Sequence, residues 1–197
     1  MAAFRESDDP DIILMRAVAE GDASSFRILV EKHQNLVVGT AARMVGAAEA
    51  EDLAQKVFLN VWKAAPRWSP QARVTTWILT ITRRLVFNES RRRGRARIVP
   101  QAASPGEFET EFPDPGEGPR ESLIRSELHR AIDSALHTLP EKERLAMVLR
   151  EYEGLPYEEI AEVLGTSLPA VKSLLFRARS SLRIRLAPYL ADGDTSA

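Results

Sequence analysis

The chain of 197 residues contains no cysteine and only three histidines, His33, His129 and His137. Disulfide staples, thiolate metal sites and cysteine nucleophiles are thereby excluded. The histidines show no ligand-like spacing with acids, so they read as ordinary surface or boundary residues, and no metal or other cofactor is expected. Long apolar runs are also missing: none approaches the ~20 residues a membrane span needs. The first residues, MAAFRESDDPD, are acidic with no apolar stretch before Ile12, unlike a secretory signal. A cytoplasmic protein without membrane insertion is the expectation. There is no Gly-rich phosphate loop and no nucleophile with a base beside it, which makes an enzyme the weakest reading. Neither an alternating strand pattern nor an internal repeat is present.

What is present is an uneven distribution of charge. The formal net charge is −1, yet residues 83–97 hold seven arginines (83, 84, 91, 92, 93, 95 and 97) against Glu89 alone. Residues 169–187 hold Lys172, Arg177, Arg179, Arg183 and Arg185 with no acid. Two basic patches suggest two places that meet a polyanion, with acid elsewhere limiting indiscriminate binding. Between them, 94–119 is rich in proline, glycine and acids, including Pro105, Gly106, Glu107, Pro113, Asp114 and Pro115. Such a stretch cannot bury enough apolar surface to offset its ordering entropy and reads as a flexible acidic linker. Its Phe108 and Phe112 hint at docking. The expected organisation is an N-terminal domain over 1–95, a linker over 96–120 and a C-terminal domain over 121–190.

Both halves read as helical, giving an all-α fold of two small helical domains. Asp9-Pro10 is a cap and first-turn signal, and Asp22 caps a longer helix carrying Phe26, Leu29, Val30, Val37, Ala41 and Met44. A third helix, from about 48 to 65, has Leu53, Ala54, Val57, Phe58, Val61 and Trp62 on an apolar stripe that Pro66 ends. After a loop over 67–73, a fourth helix from about 75 to 93 is expected to place Ile78, Ile81 and Leu85 inward. Thr76, Thr80, Arg83, Arg84, Asn88 and Arg91 then fall on its other face.

The most informative spot is the join between two helices over 156–164 and 169–186. Ala161 is small where helices would cross, Gly165 can take a positive φ, and Ser167 with Pro169 starts the second helix, the layout of a helix-turn-helix. Val171, Leu174, Leu175, Ala178 and Leu182 form its inward stripe. The opposite face presents Ala170, Lys172, Ser173, Phe176 and Arg177 near the end that enters a major groove in this motif. Lys172 and Arg177 suit guanine edges or phosphates, Ser173 either, and Phe176 a thymine methyl.

The segment GLPYEEIAEVLGTSLPAVKSLLFRARSSLR, preceded by LHTLPEKERLAMVLREYE, resembles the C-terminal DNA-binding domain of extracytoplasmic-function sigma factors of bacterial RNA polymerase. GDASSFRILVEKHQ, AEDLAQKVFLNVWKAAPRW and TTWILTITRRLVFNESRRR resemble that family's polymerase-binding and promoter-melting domain. The resemblance implies a non-enzymatic initiation subunit whose partners are core RNA polymerase, promoter DNA and, as is common in the family, an anti-sigma factor. It maps polymerase binding onto Asp52, Gln55, Lys56, Leu59 and Trp62, with Leu53 and Phe58 equally suited to the core. Recognition and melting of the −10 element map onto Arg67, Trp68, Arg73, Thr76, Thr80, Arg83, Arg84, Asn88, Arg91 and Arg92, with Arg93 beside them on phosphates. The 67–73 loop with Trp68 is placed to receive an unstacked base, whereas Trp77 reads as core. Recognition of the −35 element maps onto Ala170, Lys172, Ser173, Phe176 and Arg177. Lys56, Arg84, Asn88 and Leu174 depart from the family pattern. The rival reading is a two-domain helix-turn-helix regulator acting as a dimer; it explains the second basic patch but not the first.

Overall fold

The computed structural model describes residues 9–96 and 119–191. Among them the chain forms α1 (Asp11–Ala19), α2 (Ala23–Val45), α3 (Ala47–Ala64), a 3-10 turn (Ala65–Arg67), α4 (Val74–Ala96), α5 (Pro119–His137), α6 (Glu141–Met147), a π-helical turn (Val148–Tyr152), α7 (Tyr157–Leu164) and α8 (Leu168–Ala191). No strand occurs among the described residues. The expected linker, with Phe108 and Phe112, lies largely outside them.

Local chemistry sets the boundaries. Asp22 accepts hydrogen bonds from the N–H groups of Ser24 (3.1 Å) and Ser25 (3.0 Å), satisfying two orphan donors of α2. Those bonds, with Ser25 the strongest influence, hold its carboxyl below the usual range. Gly46 takes φ 99° where α2 turns into α3. The last carbonyls of α2 have no partner within the helix. Arg144 of α6 donates to Met44 O (3.0 Å) and Arg93 of α4 to Val45 O (2.5 Å), so two arginines distant in sequence terminate α2.

The expected stripes of α2, α3 and α8 are largely buried, led by Leu29, Val37, Val57, Val61, Val171 and Leu175, while Phe26, Val30 and Trp62 at their edges are half-buried. Two expectations need correction. His33 is not a boundary residue: it is 4% exposed, with Nε2 2.8 Å from the buried carboxylate of Asp11. In α4 the buried edge is Ile78, Leu79, Thr82 and Val86, while Ile81 and Leu85 are only half-buried. Thr82 is tolerated there because its hydroxyl donates to Ile78 O at 3.0 Å.

The two halves pack on one another, α4 against α7 and α2 against α5 and α6, and their apolar residues join in one cluster. Arg43 of α2 lies over the ring of Tyr152, 3.9 Å from its centroid. This packing determines which helix faces stay open.

Candidate polymerase and nucleic-acid interfaces

On α3 the i, i+3/i+4 stripe goes inward and takes Leu53 and Phe58 with it, which settles both as core residues. Asp52, Gln55, Lys56 and Leu59 remain outside, and Leu59 is 56% exposed, an apolar side chain offered to solvent beside polar neighbours. Lys56 forms an ion pair with Asp52 one turn before it. Trp62 is half-buried and meets Phe26 of α2 edge-on, with centroids 5.0 Å apart.

The 67–73 loop and α4 form the second face. Trp68 and Trp77 sit with ring centroids 6.3 Å apart, and both are half-buried, so Trp77, expected in the core, packs only against its edge. With Arg67, Gln71, Thr76 and Thr80 they line an open cleft of about 440 Å³. Thr80 donates to Thr76 O (3.0 Å), which orients its methyl and oxygen in the wall. Beyond the cleft Arg84, Asn88, Arg91 and Arg92 are exposed. Among the described residues no carboxylate pairs with Arg84 or Arg91, whereas Arg92 is bidentate on Glu89 (2.7 and 3.0 Å). Arg92 is the chief cause of a lowered Glu89 pKa. Arg93 also turns inward, pairing with Glu49 and capping α2, so its placement on phosphates is corrected to a structural role.

The other correction concerns Thr76. It was expected on an open face but is 2% exposed, because α7 lies across the first turns of α4. Its hydroxyl donates to Glu159 Oε2 (3.1 Å), and Arg73 Nη1 stands 3.3 Å from Glu159 Oε1. Glu162 borders the same cleft, and burial pushes its carboxyl up, with Glu159 adding to the effect. Arg83, pushed down by burial and by Arg84, lies under the turn of the helix-turn-helix. Gly165 takes φ 61°, a backbone conformation that favours glycine, while a Cβ there would lie 3.1 Å from the flexible end of Arg83, which would have to give way slightly.

The third face is α8. Gly165 closes α7 in the left-handed region, Thr166 N donates to Ala161 O (2.9 Å), and Ser167 Oγ accepts from Ala170 N (3.4 Å). That geometry is the tight turn of a helix-turn-helix. Lys172, Ser173, Phe176 and Arg177 are exposed and Ala170 half-buried; Phe176 is 72% exposed. Arg177 is not free, since its Nε donates to Glu143 Oε1 at 2.7 Å. Ser173 Oγ donates to Pro169 O at 3.0 Å.

Two acids were missed and a third was legible in only one of its roles. Glu159 and Glu143 pair across elements with Arg73 and Arg177, and Asp9, legible as the cap of α1, also accepts from the N–H of Val74. No local pattern marks contacts between distant elements; of the two pairs only the cations were visible.

Residues 29–96 match the family model for sigma-70 region 2, and residues 121–182 that for sigma-70 region 4. The chain is 30% identical over 184 residues to the ECF RNA polymerase sigma-E factor of Haemophilus influenzae, covering 91% of this chain and 97% of that one. It is 31% identical over 191 residues to the RNA polymerase sigma-H factor of Pseudomonas aeruginosa, covering 94% and 98%. The solved structure of CnrH in complex with the cytosolic domain of CnrY is similar with a TM-score of 0.65 at 26% identity, over 95% of this chain and all of that chain. With matches to regions 2 and 4 in that order and relatives spanning nearly its whole length, the chain belongs to the extracytoplasmic-function sigma factors of bacterial RNA polymerase.

Proposed function

We propose that the three faces divide the work of a sigma factor: α3 binds core RNA polymerase, the 67–73 loop with α4 reads and opens the −10 element, and α8 reads the −35 element. The protein acts in the cytoplasm as a non-enzymatic subunit. Its units are 1–95 and 121–190 with 96–120 as tether, and limited proteolysis of the free chain cuts first within the tether. On α3, Asp52 and Gln55 offer acceptors beside an apolar Leu59, suited to a basic helical partner. On α8, Lys172, Ser173 and Phe176 stand at the groove-entering end.

One observation carries the −10 assignment. The Trp68–Trp77 cleft, with Arg67, Thr76 and Thr80 in its lining, stands at the start of the helix whose later turns expose Arg84 and Arg91, which meet no carboxylate among the described residues. A single strand requires that combination: an aromatic surface for a base that has left the stack and cations tracking the backbone. The test is run-off transcription by core polymerase with and without the chain. Initiation from its promoters should depend on it, and Trp68→Ala should slow promoter opening without weakening polymerase binding. A dimeric regulator would bind its operator without polymerase and leaves the match over 29–96 without a role. The cytosolic domain of CnrY bound to CnrH supports a protein partner for this chain too, which we read as an anti-sigma factor of the kind common in the family.

A further inference from the structure

The fourth helix begins without a cap of its own. Ala72 and Arg73 precede Val74, and neither side chain has an acceptor for the orphan N–H groups of the first turn. The acceptor comes from 65 residues earlier. Asp9 is 7% exposed; its Oδ2 accepts from Val74 N at 2.7 Å, while its Oδ1 accepts from Asp11 N at 2.9 Å. One carboxylate therefore caps α1 and α4 together, with Pro10, which has no N–H of its own, set at φ −63° between the two bonds. Its negative charge also suits two helix N-termini.

The brace is anchored on both sides. Asp11, 3% exposed, accepts from Lys32 Nζ (2.5 Å) and lies 2.8 Å from His33 Nε2, both on α2. Ile12, Met15 and Val18 bury α1 in the core, and α1 packs against the 3-10 turn Ala65–Arg67. That turn is where the Trp68 loop begins, and Val74 is where it ends. The N-terminal segment thus holds both ends of the loop that forms the cleft, although it precedes residues 29–96 of the region 2 match.

We propose that Asp9 is a positioning residue for promoter opening: by capping α4 from α1 it fixes the corner at which Trp68 and Trp77 receive the unstacked base. Asp9 touches no nucleic acid; it acts through the start of α4. This rests on the assignment of the Trp68 cleft to the −10 strand.

The test uses holoenzyme reconstituted from core polymerase and full-length chain, titrated to equal active concentration. Opening is followed by fluorescence of 2-aminopurine in the non-template strand. Asp9→Ala should leave core affinity within about twofold while slowing opening about fivefold, the factor expected from losing a helix cap. Affinity for a single-stranded −10 oligonucleotide should fall in parallel. Asp9→Asn, whose one amide oxygen can accept from Val74 N while its NH2 cannot accept from Asp11 N, should recover part of the rate. Val45→Ala, a core truncation at the far end of α2, where the chain meets Arg93 near the end of α4 rather than Val74 at its start, controls for general loss of stability: its assembled holoenzyme should open at the normal rate. If Asp9→Ala does not assemble, Asp9→Glu, which keeps the charge but displaces the acceptor, carries the same comparison. Wild-type opening by the Asp9 variants alongside slow opening by Trp68→Ala overturns the positioning role and leaves the cleft assignment standing. Equal slowing by Val45→Ala also overturns it. Normal opening by Trp68→Ala removes the cleft assignment and the inference with it.

Discussion

Lys56 holds the Asp52 carboxylate in an ion pair although both side chains are more than half exposed. In water such a pair contributes about 0.2–1 kcal/mol, so it is a modest brake on whatever else Asp52 could meet. Lys56→Ala should free the acceptor and tighten core-polymerase binding about two- to fivefold, as read by fluorescence anisotropy. Asp52→Arg should abolish that binding while shifting stability by less than ~0.5 kcal/mol, because the site is on the surface. Unimpaired polymerase binding by Asp52→Arg would refute the assignment of α3. The basic run at the end of α4 divides by the same reasoning. Arg91 is exposed and unpaired among the described residues, whereas Arg93 is spent on Glu49 and Val45 O. Arg91→Ala should flatten the salt dependence of promoter binding by roughly 0.9 per lost duplex phosphate contact. Arg93→Ala should instead lower Tm and leave the salt slope unchanged.

At the scale of elements, periodicity made most of the fold readable. The stripes of α2, α3 and α8, the Asp22 cap and the Gly165 turn are properties of neighbouring residues, and each stands where the pattern placed it. What periodicity could not reach were contacts between elements. Thr76 is on the polar side of α4, yet it is buried by α7; His33 lies among polar neighbours in sequence, yet Asp11 draws it inside. Of the three faces, those on α3 and α8 were therefore legible almost whole, and that on α4 only as a list of cations and aromatics. The cover over α4 has a consequence for binding. Glu159 places its carboxylate against Arg73 and Thr76, where a nucleic-acid backbone would otherwise compete. Glu159→Gln removes that competing charge, so the free chain should bind a single-stranded −10 oligonucleotide several-fold more tightly, measured by anisotropy at low salt where the pair is least screened. No gain would mean that α7 does not compete with the strand.

Taken together, and among the described residues, the α3 face is open, the α4 face is partly covered, and the α8 face is exposed but internally paired. That pairing decides how the −35 assignment is best tested. Arg177 and Lys172 both stand on the groove-facing side of α8, but they are not equivalent probes. Glu143 is 8% exposed and its charge is met by Arg177 at 2.7 Å. Removing Arg177 leaves a nearly buried carboxylate without its partner, a loss of about 1–3 kcal/mol that reaches the packing of α6 on α8. Arg177→Ala should therefore lower both Tm and initiation. Arg177→Ala combined with Glu143→Gln should regain stability without regaining promoter use, which separates the packing role from the DNA role. Lys172 is exposed and meets no carboxylate among the described residues, so Lys172→Ala should leave Tm and polymerase affinity unchanged. It should nevertheless reduce run-off transcription about five- to hundredfold from promoters that depend on the −35 element, since a good base contact carries roughly 1–3 kcal/mol. On a template whose upstream element has been replaced, the same variant should match wild type. Equal loss on both templates would move Lys172 from sequence reading to general phosphate attraction, and no loss on either would remove α8 from the promoter altogether.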